Sequence, residues 1–206
     1  ASIENAGLIQ ALGMQGTVLA RAIVTNGGEI HNKAGGIILA QGAAIASGAA
    51  AVAGLDIVNE GLIQGLAGQA IALSGEKNDS LTNKGMITGS VDLGGGDDAL
   101  NVHTGSSIAG AMLGGTGSDT VNLIGTTPAT VGAFGATTGF ERLLLQEGSW
   151  SVAATDYESV TVEDGATLTS TVTLNNDDRL TVENGGTLTA GTAIIWAGGG
   201  DAVVEN

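Results

Sequence analysis

The feature that most constrains this chain is a repeat of about 20 residues. Leu81, Leu100 and Val121 follow one another at intervals of 19 and 21 residues. Near the C-terminus, segment 160–168 returns in similar form as segment 180–188, again 20 residues later. Apolar residues stand at every second position within a cycle, which indicates short strands with one buried face. A fixed period of this length is typical of solenoids.

Two further patterns support the repeat. The pattern aliphatic-x-Asn-x-Gly-x-Ile occurs four times, with its asparagines at Asn5, Asn26, Asn59 and Asn83. Asn and Gly tolerate positive φ, so a strand can bend sharply between them. Three apolar triplets that begin at Ile71, Val91 and Ala111 stand 20 residues apart. We therefore expect the same strands and corners to recur from one cycle to the next.

A single cycle of three short strands cannot bury its own apolar face, but stacked cycles can. Each strand would then bond to its counterpart one turn later, about 4.8 Å away. With 36 Gly, one Pro and 2% aromatic residues in 206, the interior must be built from Ala, Val, Ile and Leu. The sequence predicts an all-β fold, a single-stranded parallel β-helix of about ten turns with roughly 20 residues each.

One local pattern, a six-residue spacing that departs from the 20-residue repeat, bears on the handedness of this helix. Gly36, Gly42, Gly48 and Gly54 are six residues apart, which resembles the hexapeptide of left-handed β-helices. The step is confined to about 39–63, so narrow Gly- and Ala-rich turns in a right-handed helix explain it better. We predict a right-handed helix.

The chain is expected to form one domain, 1–206, because no linker or composition break interrupts it. Segment 126–139 contains the only proline, Pro128, and has no clear strand match, so it is predicted to be an irregular loop. Segment 34–55 carries no formal charge, but it has too few large aliphatic residues for a membrane-spanning helix.

The net charge of −15 limits the partners of the chain. Such a chain is repelled by phosphate backbones and anionic lipid, so we expect neither nucleic acid nor membrane contact. The absence of Cys excludes a disulfide framework and Cys-based zinc sites. The first residues have no basic region, and no signal peptide is expected in this sequence.

Two Gly-Asp corners are the most suggestive candidate for a site. Segments 94–100 and 114–121 approximate the calcium-binding nonapeptide of repeats-in-toxin proteins, with Asp97, Asp98 and Asp119 as candidate ligands. In those proteins the nonapeptides follow one another directly, whereas Asp98 and Asp119 are 21 residues apart. We interpret the corners as exposed Gly-Asp turns and expect no metal, and a calcium-binding module remains an alternative.

Residues suited to catalysis are sparse and dispersed. His31 and His103 have no His or Cys partner at metal-ligand spacing and are expected in turns outside the rod. Polysaccharide lyases and glycoside hydrolases do occur on β-helices, and they need a basic residue near acidic groups or a carboxylate pair in an aromatic cleft. The arginines and the Trp and Tyr residues are isolated: Arg21, Arg142, Arg179, Trp150, Trp196 and Tyr157. The sequence predicts no enzyme and no cofactor.

Several motifs together resemble the passenger domains of Gram-negative autotransporters. These are the Asn-x-Gly-x-Ile turns, the Gly-Asp corners, and the run 139–143 (Gly-Phe-Glu-Arg-Leu) leading to the Trp-containing strand 148–152. The resemblance implies a right-handed β-helical passenger on the outer surface of the cell, commonly an adhesin or autoaggregation factor. The signal and translocator parts of that family are not in this sequence, nor is the Gly-Asp-Ser-Gly motif of its proteases.

We therefore expect an extracellular adhesive or self-associating rod, or a stalk. Its partner would be a second rod, a host surface, a matrix protein or a glycan. The alternatives are a carbohydrate-active β-helix and the calcium-binding module. A cleft with convergent carboxylates would distinguish an enzyme from a flat acidic rod.

Overall fold

The computed structural model describes residues 1–48, 50–125, 131–153, 157–174, 178–189, 194–196 and 203–205. Their regular structure consists entirely of strands, and none of them belongs to a helix that could cross a membrane. In chain order the strands are β1 Ser2–Asn5, β2 Leu8–Ala11, β3 Met14–Gln15, β4 Val18–Leu19, β5 Ile23–Thr25, β6 Gly28–Asn32, β7 Ile37–Ala40, β8 Ile45–Ser47, β9 Leu55–Asn59, β10 Leu62–Ala72, β11 Ser80–Asn83, β12 Met86–Asp92, β13 Ala99–His103, β14 Ser107–Ala109, β15 Met112–Leu113, β16 Thr120–Ile124, β17 Val131–Phe134, β18 Thr137–Thr138, β19 Arg142–Glu147, β20 Ser149–Val152, β21 Ser159–Val162, β22 Thr167–Leu168, β23 Val172–Leu174, β24 Arg179–Val182, β25 Thr187–Leu188, β26 Ile194–Trp196 and β27 Val203–Glu205.

The largest sheet contains ten parallel strands, one from each successive cycle of the chain, in the order β1-β6-β9-β11-β13-β16-β19-β21-β24-β27. Its pairing aligns one aliphatic residue per strand into a column directed to the interior. The column contains Ile3, Ile30, Ile57, Leu81, Leu100, Val121, Leu143, Val160 and Leu180. The predicted all-β solenoid of stacked parallel strands is confirmed.

A second sheet runs along another side of the solenoid, with the main path β18-β15-β12-β10-β7-β2 and with β14, β5 and β8 joined to it. Five isoleucines stack in register on its inner side: Ile9, Ile38, Ile63, Ile87 and Ile108. Neighbouring strands in such a ladder are about 4.8 Å apart, so each isoleucine packs on the next. The two columns together form a narrow aliphatic core.

The period is longer and less regular than predicted. Aligned residues of the ten-stranded sheet are 27 residues apart in the first two cycles and between 17 and 24 apart in the others. The mean is about 22, and the ten strands enclose nine such intervals, so the turns are fewer than the ten predicted. Part of the excess is the antiparallel hairpin β3–β4, which is inserted after β2. The right-handed twist of the solenoid remains a prediction.

The pairing also corrects two alignments from the sequence. Ile3 and Asn5 pair with Ile30 and Asn32, so Asn32 takes the place that the pattern gave to Asn26. The pattern missed Asn32 because its corner is two residues longer than that of Asn5 or Asn59. In the second sheet Val91 pairs with Met112, one residue beyond the predicted partner.

The structure differs from the predicted irregular loop at 126–139. Residues 126–130 lie outside the described residues, but β17 pairs in parallel with β20, and β18 pairs with β15. The strand β17 was not predicted, because a glycine, Gly132, stands at an inward position where the pattern requires an aliphatic residue. Gly132 pairs with Trp150. A Cβ atom at Gly132 would lie 2.5 Å from the indole ring, so only glycine leaves room for the ring there.

Aromatic residues contribute to the core only in the later turns. Phe134, Phe140, Trp150 and Tyr157 are all buried, and the Trp150 Nε1–H donates a hydrogen bond to the Glu147 carbonyl at 3.0 Å. The prediction of a core built only from Ala, Val, Ile and Leu is therefore wrong for the later turns, where these aromatic residues are buried. Phe134 and Trp150 lie on β17 and β20, which belong to a separate four-stranded sheet, β17-β20-β22-β25.

An inward charge should unfold the neighbouring turns, because an aliphatic column offers it no partner. Ile71 and Leu93 are buried in this core, whereas Leu66 is 47% exposed. We expect Leu93→Asp or Ile71→Asp to lower the free energy of unfolding by more than about 4 kcal/mol. Leu66→Asp, the same substitution at an exposed site, should change it by less than about 1 kcal/mol.

Circular dichroism and chemical denaturation would measure both effects. The wild-type spectrum should show strand with almost no helix. A helical spectrum, or equal stability of Leu93→Asp and Leu66→Asp, would contradict the core described above.

Candidate functional site

The two Gly-Asp corners stack on a third corner one turn earlier. Isolated parallel bridges join Glu76 to Gly95 and Gly95 to Thr116, which aligns the three turns. Gly94 and Gly115 have φ values of 97° and 114°, a conformation that favours glycine. Gly115 is also confined by close approach, since a Cβ atom there would lie 1.7 Å from the Gly94 carbonyl oxygen. The glycines thus set the path that lets successive corners stack.

Carboxylates form a continuous hydrogen-bonded column at the end of these corners, immediately before the strands of the ten-stranded sheet. The Asp79 amide donates to Asp98 Oδ1 at 2.7 Å, and the Asp98 amide donates to Asp119 Oδ1 at 2.7 Å. The column extends at both ends, from the Leu55 amide to Asp79 Oδ1 and from the Asp119 amide to Glu141 Oε2, each at 2.6 Å. We call Asp79, Asp98, Asp119 and Glu141 the carboxylate column.

A second, outer set of bonds runs beside the column in the opposite direction. The Asp97 amide donates to Asn78 Oδ1, and the Ser118 amide donates to Asp97 Oδ1, each at 2.9 Å. In the carboxylate column each side-chain oxygen accepts a hydrogen bond from a backbone amide of the preceding turn. In the outer set each side-chain oxygen accepts one from a backbone amide of the following turn. The corners are therefore linked in both directions along the rod.

The interpretation of the corners as exposed turns is correct for Asp97 and wrong for Asp98 and Asp119. Asp98 is 2% exposed and Asp119 is 0% exposed. One oxygen of each carboxyl accepts a backbone amide, while Oδ2 of each is buried with no hydrogen-bond partner among the described residues. An unpaired buried carboxylate oxygen is costly, and protonation reduces that cost.

The pKa values follow from this environment. Burial raises the pKa of Asp98 to about 7, opposed by the hydrogen bond from the Asp79 amide and reinforced by the charges of Asp119, Asp79 and Asp97. Burial also raises the pKa of Asp79 and of Asp119 above the ordinary range of an aspartate. The three aspartates of the column therefore keep their protons to a higher pH than solvent-exposed aspartates do.

The column is less suited to calcium than a repeats-in-toxin cage. Calcium takes six to eight oxygen ligands, but each of these carboxyls commits one oxygen to a backbone amide. No group of three or more His, Cys, Asp or Glu side chains in the described ranges has the geometry to hold a metal ion. Asp97 stands outside the column, so the three candidate ligands do not converge on one point.

A second buried ladder consists of asparagine amides. Nδ2 of Asn5, Asn32 and Asn59 each donates at 2.8 Å to Oδ1 of the asparagine one turn later, which is Asn83 for the last. Asn83 ends the ladder by donating to the Ser107 carbonyl at 3.1 Å. All four asparagines are buried, so their amides are not available to pair with a second molecule. They hold the turns together instead.

The two histidines lie within strands, not in turns as predicted. His31 belongs to β6, and its Nε2 is 3.4 Å from Glu60 Oε2. His103 ends β13, and burial lowers its pKa. They lie in different turns, and among the described residues neither joins a metal-binding group.

The arginines do not converge on a carboxylate pair in the described residues. Arg142 donates to Thr120 Oγ1 at 2.9 Å and to the Ser118 carbonyl at 3.0 Å, and Arg179 pairs with Glu205 at 2.8 Å. Trp150 and Tyr157 are buried in the core, where they cannot stack on a sugar. The Trp196 side chain lies outside the described part of the structure.

The sequence analysis missed one surface, the outward side of the second sheet. Leu8, Ile37, Leu62 and Met86 are aligned in register on strands β2, β7, β10 and β12. Leu8 is 60% exposed and Met86 is 53% exposed. We call these four side chains the apolar face. The signal for it is present in the chain, since each of the four stands between a glycine and an isoleucine.

Comparisons of the chain with protein-family models, with curated proteins and with solved structures yield no match.

The carboxylate column makes stability depend on pH. Because the pKa of folded Asp98 is raised to about 7, its contribution to stability is fully present below about pH 4 and is lost as the pH rises through 7. Asp98→Asn keeps an oxygen for the Asp79 amide and removes the titration. We expect it to stabilise the protein by about 4 kcal/mol at pH 8 relative to its effect at pH 4, because a pKa raised by about three pH units is worth about 1.4 kcal/mol per unit.

Chemical denaturation of both proteins at pH 4 and pH 8 would measure this difference. Asp97→Asn is the matched control, because it removes the same charge from an exposed neighbour in the outer set. It should change the pH dependence far less than Asp98→Asn does, because the charge of Asp97 is the weakest of the three that raise the pKa of Asp98. Equal pH dependence of the two variants would show that Asp98 is not a buried acid.

Proposed function

We propose that this chain is a non-enzymatic β-solenoid rod displayed outside a Gram-negative bacterial cell, where it serves as an adhesin, a self-association surface or a stalk. The proposal takes its cellular setting from the resemblance to autotransporter passenger domains. Its physical support is the repetition of the same outward side chains from turn to turn, which makes long faces suited to many weak contacts.

The main argument against catalysis is the small number of charged residues that line the concave regions of the surface. Among the described residues, a hollow near Leu143 and Val160 has no charged lining residue, and one beside the β3–β4 hairpin has only Arg21. The trough beside the apolar face has only Glu60. A glycoside hydrolase requires two carboxyl groups on either side of the scissile bond, and none of these regions supplies them.

The buried polar ladders support a structural role. The asparagine ladder and the carboxylate column both bond one turn to the next through buried hydrogen bonds. Such bonds stabilise stacking over a long distance without forming a pocket. A rod built this way extends its outward faces away from the point where it is anchored.

Beads coated with the 206-residue chain would test the proposal. Clustering of the beads and their binding to matrix proteins and glycans would be measured at low and at physiological salt, with release of sugar fragments as a parallel assay. Beads coated with Leu93→Asp, in which we expect the turns to unfold, are the control.

We expect wild-type beads to cluster or to bind at least one of these surfaces, and control beads to do neither. Self-association should strengthen with salt, because screening weakens the repulsion between two chains of charge −15. Binding to a basic host surface should weaken with salt. Dispersed beads that bind nothing would overturn the adhesive and self-associating roles and leave only the stalk, whereas cleavage of a glycan would overturn the non-enzymatic proposal.

A further inference from the structure

We propose that the apolar face is the surface on which a second copy of this chain docks. This inference rests on the proposed function and identifies the surface responsible for self-association. The occupant is a second rod that presents the same face, so the contact would be isologous, with the same residues contributed by both copies.

Exposure and continuity are the first argument. Leu8, Ile37 and Met86 are 60%, 36% and 53% exposed, and Leu62 lies between Ile37 and Met86 in the same column. Strand spacing places neighbouring side chains about 4.8 Å apart, so the four form an unbroken stripe. Single exposed apolar residues are ordinary on protein surfaces, whereas a contiguous stripe marks an interaction site.

Charge selects a second copy as the occupant. The strands β2, β7 and β10 contain no Asp, Glu, Lys or Arg, and the only charged residue of β12 is Asp92 at its end. At the rim, Lys33 pairs with Glu4, and Lys84 lies 3.9 Å from Glu60. A basic partner would bind more strongly to the acidic surfaces elsewhere on the rod than to this uncharged face. An identical acidic rod can approach here without opposing like charges.

The shape of the surface is self-complementary. Gly36, Gly61 and Gly85 lie beside Ile37, Leu62 and Met86 and leave an open trough along the ridge of side chains. The trough cannot be filled by substitution, because a Cβ atom at Gly61 would lie 2.1 Å from the Gly36 carbonyl oxygen and one at Gly85 would lie 2.3 Å from that of Gly61. The ridge of one copy can therefore lie in the trough of the other.

The area of the face predicts a weak contact. Four strands about 4.8 Å apart, each with four residues of about 3.3 Å, give a footprint of roughly 250 Å² on each copy. Stable protein–protein interfaces bury about 1,200–2,000 Å² in total, so a single pair of rods should associate only at high concentration. Rods crowded on a surface would associate through many such contacts at once.

Sedimentation equilibrium of the full chain at high protein concentration and physiological salt would test the surface. Met86→Glu places a charge on the apolar face, and Val131→Glu is the matched control, because Val131 is 57% exposed on β17, outside the second sheet. We expect the wild type and Val131→Glu to dimerise with similar dissociation constants. Met86→Glu should dimerise at least tenfold more weakly while keeping a strand-type circular dichroism spectrum.

Cysteine cross-linking gives an independent measurement, since the chain has no Cys. Under oxidising conditions Leu62→Cys should form a covalent dimer and Val131→Cys should not. Unchanged dimerisation of Met86→Glu, equal loss in Val131→Glu, or a wild-type chain that stays monomeric even at high concentration would overturn the inference.

The outcomes separate the inference from the proposed function. Wild-type beads that cluster or bind, combined with unchanged dimerisation of Met86→Glu, would overturn the apolar face and leave the adhesive rod intact. Beads that neither cluster nor bind would overturn the apolar face together with the adhesive and self-associating roles, and would leave only the stalk.

Discussion

The whole structure depends on the parallel hydrogen bonding of each strand to its counterpart one turn later. That pairing repeats the same register along the chain, so any residue at a given position stacks on its equivalents about 4.8 Å above and below. An aliphatic column, an asparagine ladder and a carboxylate column are three consequences of one constraint. Each is stabilising only while the register is kept, because a slip of one residue would turn inward side chains outward.

The same constraint explains why polar groups can lie in the interior. A buried asparagine is costly when alone, but Asn32 is bonded to Asn5 on one side and Asn59 on the other. Asp98 is satisfied only in part, since Oδ1 accepts a backbone amide and Oδ2 is buried without a partner among the described residues. The asparagine ladder is therefore indifferent to pH, and the carboxylate column is not.

Much of the fold could be predicted from the sequence, because the inward positions repeat: Leu81, Leu100 and Val121 were aligned correctly. Asn32 was missed because two extra residues separate it from its glycine, and spacing alone cannot show which residues form an insertion. The burial of Asp98 was not predictable, since Gly-Asp sequences usually form solvent-exposed turns. The apolar face was not predicted, because the pattern Asn-x-Gly-x-Ile marks only the inward isoleucine, such as Ile63, and leaves the residue before it undefined.

Distances measured between spin labels test the stacked register most directly. The chain has no Cys, so pairs of introduced cysteines can be labelled specifically. Glu4, Asn101, Leu144 and Thr181 lie in the same column of the ten-stranded sheet, at its first, fifth, seventh and ninth strands. From Glu4, the account predicts distances of about 19, 29 and 38 Å to the other three, an equal step for each turn. Distances that do not increase with the number of turns would contradict the solenoid.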